Sequence, residues 1–529
     1  MPSRWLLVAL LTAIALHAVE LYQFNSFEFD KVNHVAATAS WLSGRGFTIP
    51  DVAPAGLPRS VYRPLLGFLP GYALALAPLM RLTHDIWWST YALDMAAQSL
   101  FLVAWAALLR LATGSWTPAA GLLLLWTVLY SPIAAGTYSD LLALSLFSAA
   151  VATAALAMSI DRSVALFGAL TSAAFIIATC VVRYAYWPLA VAIPVAMVVA
   201  KQDRTTWTLA SLHAAAAGAA VLLTAAFMQR STGEALFLTR WYPDQMRAFY
   251  WRQLLPLDPF PASAVGAGRV YGLIASGRPR LVALAPLVLW IVSALCAIVV
   301  IAYLASRTRR WIVRQLDARE AFFQAAGVVA CAATVAMNLW LTVRLPAASD
   351  GWSVGSDPRY FVPVLPFFGA WLWLAARDAT LAAPVRAIAV GLLAGALIIT
   401  VPVRIVRVTR YFAKNRETAW LSRGRRDQAD VIFAAIRAVD AGGAPPLFID
   451  DSPKWRRYVA TMGGALVVRQ AALTACAEHD VADMRFLVSV PLTRSQSRAQ
   501  RQGTAMGVVE DVEIVSMLGS PCESTAAAH

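Results

Sequence analysis

Charge is scarce in this chain. Only 14% of its 529 residues are Asp, Glu, Lys or Arg, against about 25% in an average soluble domain. With 59% hydrophobic residues beside that deficit, a wholly water-soluble globule is excluded and a membrane protein indicated. Cysteine is scarce too, with 5 in all, too few for a disulfide scaffold. Cys180, Cys296 and Cys331 lie in apolar stretches and serve as small hydrophobes. Cys476 and Cys522 fall near the C-terminus and would pair only outside the cytoplasm. The 6 histidines are scattered, without zinc or haem spacing. There is no Walker A run, and Gly266, Gly268 and Gly272 do not follow a strand as a dinucleotide fingerprint requires. No Gly-x-Ser-x-Gly elbow occurs. These absences argue against an ATP or nucleotide-sugar site in a soluble domain. No internal repeat and no low-complexity tract is present.

Long apolar stretches alternate with short arginine-bearing connectors as far as Arg410, after which charge density rises. The shift predicts a membrane domain over 1–410, with outward loops at 25–87 and 229–280, and a soluble domain over 411–529. Eleven segments approach the roughly 20 apolar residues a crossing helix needs, from Trp5–Phe24 to Pro384–Val406; Pro118–Ile133, Tyr186–Ala200 and Phe361–Ala376 are the shortest. The net charge of +14 would suggest nucleic acid in a soluble protein. Here the arginines sit at the ends of apolar segments, where cytoplasmic loops and lipid phosphates attract them. In the tail, Asp427–Val439 reads as a helix, and Leu447–Ile449, Ala465–Val468, Phe486–Val490 and Val512–Val515 as short strands. The expected fold is a polytopic α-helical membrane protein with outward juxtamembrane helices and a small α/β domain.

Pro64–Met80 is long enough to cross but holds Pro64, Gly67, Pro70, Gly71 and Pro78, which interrupt a helix. A re-entrant or surface-lying segment keeps Arg162, Lys201–Arg204, Arg307–Arg319 (Arg307, Arg309, Arg310, Arg314 and Arg319) and Arg377 with Arg386 on the cytoplasmic side; a crossing moves them outside. Arg4 favours a cytoplasmic N-terminus, a cleaved signal peptide over Met1–Ala18 being the alternative. The chain is therefore expected in the inner membrane, with its C-terminal domain periplasmic.

The outward segments hold the candidate chemistry. Asp30 precedes an apolar stripe of Val32, Val35, Ala36, Ala39 and Leu42 on a helix expected along the membrane surface. An N-cap is one role for such an aspartate; a functional carboxylate is the other. Asp140 admits the same two readings at the start of the segment following Gly136–Ser139. Arg183 and Tyr184 lie between two apolar helices, and a cation there needs an anion, either a lipid phosphate or a buried carboxylate. Asp357, Arg359 and Tyr360 open another helix from the same side. Arg240, Arg247 and Arg252 alternate with aromatics as in an interfacial belt.

These motifs resemble those of the GT-C glycosyltransferases, in the branch that includes the lipid A aminoarabinose transferases and protein O-mannosyltransferases. The likeness rests on Asp30 through Trp41-Leu42-Ser43-Gly44-Arg45-Gly46-Phe47, the proline-rich Tyr62–Pro78, Gly136–Asp140, Arg183, and Asp357-Pro358-Arg359-Tyr360 followed by Pro363 and Pro366. The resemblance implies a polyprenyl-phosphate sugar donor, a lipid, glycan or protein acceptor, and an inverting transfer. It implies Asp30 as catalytic base, and Arg183 and Arg359, with Tyr360, at the donor's phosphate. Asp140, Asp357 and Tyr184 would support the site or the acceptor. Relatives carry Asp-Glu where this chain has Asp30-Lys31, so Glu28 supplies the second carboxylate or the site uses one. That departure leaves open a divalent metal; no other cofactor is implied. A lipid or glycan transporter and a non-catalytic scaffold of the same fold are the competing readings. A transporter would more often show inverted repeats and charges near the midplane.

Reporter fusions test the topology. A fusion at Arg310 is expected to report the cytoplasm and one at Ala444 the outside; an outside signal at Arg310 would instead make Pro64–Met80 a crossing.

Overall fold

A computed structural model of the chain describes residues 2–24, 29–52, 60–65, 68–129, 138–159, 161–232, 285–313, 315–344, 361–414, 423–439, 444–450, 454–469, 484–491, 503–510 and 512–519. Glu28, Asp357, Arg359, Tyr360, Cys476, Cys522 and the arginine-aromatic belt at 240–252 lie outside these residues. The chain divides into two units, one of Met1–Leu21 with Asp94–Ala413, the other of Tyr22–Leu93 with Lys414–His529.

The first unit is helical. Its helices are α1 (Pro2–Phe24), α4 (Ile86–Thr113), α5 (Trp116–Leu129), α6 (Tyr138–Ala157), α7 (Arg162–Val182), α8 (Ala192–Ala200), α9 (Arg204–Thr232), α10 (Ala285–Ile312), α11 (Ala318–Arg344), α12 (Leu365–Arg377) and α13 (Ala383–Lys414). Eight of them carry spans long and apolar enough to cross a membrane. The other three expected crossings fall on α5, on the broken segment ending in α8, and on α12, all shorter than a full span. The long helices are apolar nearly all round, and many of their large hydrophobic side chains are exposed, as a helix facing lipid requires.

Small residues let these helices approach closely. A Cβ on Gly168 of α7 would lie 2.7 Å from the Thr153 carbonyl oxygen and 2.8 Å from the Ala157 nitrogen of α6. Polar side chains tie neighbouring helices together where no water competes. Ser172 donates to the Ala150 carbonyl at 2.6 Å and meets His213 Nε2 at 2.9 Å. The Trp105 indole donates to Ser148 Oγ at 3.1 Å. Around Trp105, the rings of Trp126 and Phe367 stand edge-on at 5.0 Å each, joining α4, α5 and α12 in one aromatic cluster.

Short connectors bring α4 to α5, α6 to α7, α8 to α9, α10 to α11 and α12 to α13. Asp161 and Asp203 in these connectors are engaged locally. Asp161 caps α7 by accepting from Ser163 and Val164 nitrogens at 2.8 and 3.3 Å. Asp203 is bonded by Lys201 and by the Thr206 amide, which hold its pKa down to about 2. Arg307, read from sequence only as part of a basic loop, ties α10 to α11 and to the turn after α12: it reaches Glu320 at 2.8 Å and Asp378 at 2.7 Å. Burial raises the Asp378 pKa, but hydrogen bonds from Thr380 and the charge of Arg307 outweigh it and leave it lowered.

The second unit brings together distant stretches of sequence. It holds α2 (Phe29–Leu42), β1 (Thr48–Val52), β2 (Ser60–Pro64), α3 (Gly71–Thr83), α14 (Arg423–Val439), β3 (Leu447–Ile449), α15 (Lys454–Met462), β4 (Leu466–Val468), β5 (Met484–Pro491), β6 (Gly503–Val509) and β7 (Val512–Gly519). β1 and β2 form an antiparallel hairpin with Pro50 opposite Tyr62. The tail's sheet runs β4-β3-β5-β7-β6, parallel across β4-β3-β5 and antiparallel beyond. Leu447, Ile449, Phe486, Val488, Val490 and Val515 form its core. The strands read from sequence are present. The hairpin, α15 and β6 are additions to that reading.

Helix α2 departs from the one-faced surface helix expected. Lys31 is 0% exposed, Val35 0%, His34 1% and Thr38 0%, so it is buried all round. Its neighbours are α3, β1 and α15. The His34 ring packs 5.0 Å from both Phe68 and Tyr72. The turn after α2 needs glycine: Gly44 and Gly46 take φ of 81° and 75°. Between them Arg45 stacks over the Tyr62 ring at 4.6 Å. The Tyr62 hydroxyl in turn donates to the Gly464 carbonyl at 3.3 Å, and Ser60 Oγ donates to the Pro445 carbonyl at 2.5 Å.

Gly168→Val tests the α6–α7 contact. The obstacle is backbone, which cannot swing aside, so a loss of about 1–3 kcal/mol is expected. It should appear as a lower melting midpoint of the detergent-solubilised protein. Gly218→Ala, where an added Cβ meets nothing within 4 Å, should leave the midpoint unchanged or slightly raised.

Candidate functional site

Helix α7 stops at Val182, and the chain leaves it extended, with Arg183 at φ −149° and ψ 120°. Two 3-10 turns follow, Tyr184–Tyr186 and Pro188–Val191, before α8 resumes. Pro188 has no N–H to continue a helix. Irregular backbone among membrane helices is tolerated only where its polar groups are satisfied by protein. Here the Arg183 N–H donates to Thr179 at 3.1 Å, that of Tyr186 to Arg183 at 3.1 Å and that of Trp187 to Tyr184 at 3.0 Å. The Trp187 indole donates to the Cys180 carbonyl at 2.8 Å.

The break puts Arg183 against the first turn of α6. Its Nε lies 2.5 Å from Asp140 Oδ1, and Nη1 donates to Ser139 Oγ at 2.9 Å. Arg183 is 5% exposed and Asp140 3%. Of the two anions that sequence left open for Arg183, the carboxylate is the one in contact. Asp140 also has the favourable field of a helix N-terminus. Tyr186, fully buried, lies near enough to feel both charges. Its hydroxyl has no hydrogen-bond partner among the described residues, which costs about 1–3 kcal/mol unless water or a ligand meets it. The cluster is thus a fixed cation with its counter-ion and a buried hydroxyl, a set suited to binding an anion's oxygens and holding charge that develops there.

Of the residues singled out from sequence, the structure brings Asp140 and Arg183 together, with Tyr184 half-buried next along the chain. Asp30 belongs to the other unit, in the first turn of α2, half-buried and followed by the buried Lys31. Glu28, Asp357, Arg359 and Tyr360 fall outside the described residues. Sequence reasoning missed Ser139 and Tyr186. Their signals were adjacency: Ser139 precedes Asp140, and Tyr186 closes the run Arg183-Tyr184-Ala185-Tyr186. Among the described residues, no group of three His, Cys, Asp or Glu side chains is placed to hold a metal ion.

The pair has a testable energetic signature. Asp140→Ala removes the carboxylate that faces a buried guanidinium and is expected to cost about 3–5 kcal/mol, seen as lost monodisperse protein and a lower melting midpoint in detergent. Asp140→Ala with Arg183→Met removes both charges and should recover most of that loss. Equal loss in both variants would contradict this account.

No family model matches the chain, and no curated protein matches it by sequence. Solved structures do match by fold. A crystal structure of ArnT from Cupriavidus metallidurans bound to undecaprenyl phosphate superposes with a TM-score of 0.53 at 13% identity, covering 98% of this chain and 99% of that one. The apo ArnT structure from the same organism gives 0.53 and 13%, covering 97% and 98%. The resemblance drawn from Asp30, Gly136–Asp140 and Arg183 therefore extends to the architecture. Along nearly its whole length, this multi-pass membrane protein shares the fold of the ArnT structures.

Proposed function

We propose that the chain is a membrane glycosyltransferase that moves a sugar from a polyprenyl-phosphate donor to a lipid, glycan or protein acceptor on the outer face of a bacterial-type inner membrane. The observation that carries this reading is the fold shared end to end with an ArnT structure that holds undecaprenyl phosphate. The absence of nucleotide motifs is consistent with it, since the activated sugar then arrives on a lipid.

In this reading Asp30 takes the acceptor's proton as the acceptor oxygen bonds to the anomeric carbon. The bond from that carbon to the phosphate oxygen breaks with its electron pair, polyprenyl phosphate leaves, and the configuration inverts. Negative charge grows on the leaving phosphate, so cations set beforehand stabilise the transition state more than the ground state. Arg183 and Arg359 fill that role, with Tyr360 beside the latter. Support for Arg183 lies in its fixed position: Asp140 and Ser139 set the plane of its guanidinium. Asp140 then acts as a positioning residue, and the Tyr186 hydroxyl offers a further donor. Glu28 supplies a second carboxylate or the site uses Asp30 alone, and Asp357, Asp140 and Tyr184 are supporting groups.

The structure puts Asp30 inside the first turn of α2 and not at its N-cap, so Asp30→Asn keeps the side chain's size there and removes the proton acceptor. Transfer from a pool of polyprenyl-phosphate sugars in membranes is expected to fall about 100-fold or more at matched expression. Asp140→Asn with Arg183→Gln should instead raise the KM for the lipid donor as well as lower turnover. Full activity in well-folded Asp30→Asn protein would remove Asp30 from the mechanism.

A further inference from the structure

A cavity of about 450 Å³ opens between α4, α5, α6 and α7, within the first unit and away from the Asp140–Arg183 pair. It is lined by Leu100, Val103, Phe175 and other apolar side chains, with Arg110, Arg319 and Trp116 among its lining residues. The two arginines come from opposite directions. Arg110 lies in the last turn of α4 and Arg319 in the first turn of α11, both beside short connectors. Helix alternation puts the α4–α5 and α10–α11 connectors on one side of the membrane.

Length sets the occupant's scale. From Leu100 to Arg110 the helix rises about 15 Å, half of the roughly 30 Å hydrocarbon core. The groove therefore runs the depth of one leaflet, from the connector side towards the midplane. Val103, 46% exposed, opens its flank to the bilayer. The walls suit an acyl chain, and the cationic end lies at the height of that leaflet's head groups.

Charge sets the occupant's chemistry. Arg110 stacks over the Trp116 ring at 5.4 Å, which orients it without neutralising it. The acid nearest Arg319 in sequence, Glu320, is taken by Arg307 at 2.8 Å. Asp317 is exposed and does not line the cavity. Among the described residues, neither Arg110 nor Arg319 makes an ion pair, and both are half-buried. Two half-buried cations at the mouth of an apolar groove need an anion that also brings hydrocarbon. We infer that the groove is a binding site for an anionic phospholipid of the connector-side leaflet, its phosphate between Arg110 and Arg319 and an acyl chain along α4.

Native mass spectrometry of the full-length protein tests this with phosphatidylglycerol and phosphatidylcholine as probes. Phosphatidylglycerol should be retained, and bound about tenfold or more weakly by the Arg110→Gln/Arg319→Gln variant. Val103→Trp, which fills the groove and keeps both arginines, guards against loss of fold in the charge variant; it should weaken phosphatidylglycerol to a similar degree. Equal retention of the two lipids, or phosphatidylglycerol binding unchanged in both variants, would overturn the inference. So would its displacement by millimolar inorganic phosphate alone, which would mean an anion site that ignores the chain.

Discussion

A guanidinium in an apolar bundle has to meet a carboxylate, a phosphate or water, and at Arg183 this constraint shapes the neighbourhood. The helix ends one residue earlier, the backbone turns extended, and two 3-10 turns carry the chain to α8. Those turns would be costly in hydrocarbon, but carbonyls of the same segment accept their N–H groups. Asp140 at the head of α6 completes the arrangement, so α6 and α7 are held both by close contact of small residues and by an ion pair at one end. At the other end of the bundle Arg307 solves the same problem with two acids, from α11 and from the turn after α12. Each cluster fixes helices against one another at a membrane end, where a bundle of smooth apolar helices would otherwise slide.

The proposed chemistry uses the same property. A cation with a fixed counter-ion does not have to reorganise when charge appears on a leaving phosphate, and this is what makes preorganised electrostatics effective. The pairing has an energetic consequence as well. A guanidinium already matched by Asp140 is less costly to keep buried before the donor arrives.

Much of the helical architecture was legible because crossing a membrane leaves a coarse signal in length and composition. The need of Arg183 for an anion was legible too, from its place between two apolar runs. Its partners were not, since Ser139 lies 44 residues away and only packing brings it near. The tail's central strands were visible as runs such as Leu447–Ile449. β6 was not, because Gly503 and Gly507 interrupt its apolar alternation, and its pairing with β7 shifts register between Ala505 and Gly507. The hairpin was hidden by prolines at Pro50 and Pro64, which usually argue against a strand. α15 is short and rich in arginine, and nothing in Lys454–Met462 marks the burial of Val459, Ala460 and Met462. For α2, apolar spacing predicted one buried face. A helix enclosed by α3, β1 and α15 buries its polar residues as well, and periodicity carries no sign of that.

The link from Ser60 to Pro445 joins residues 385 positions apart. The ribosome adds about 5–20 residues each second, so the early half of this unit waits roughly 20–80 s for its other half to be made. During that interval α2 lacks α15, and the β1–β2 hairpin lacks the carbonyls of Pro445 and Gly464. Assembly of the second unit is thus a late event set by the length of the intervening bundle, and a chain truncated before Pro445 has no means of completing it.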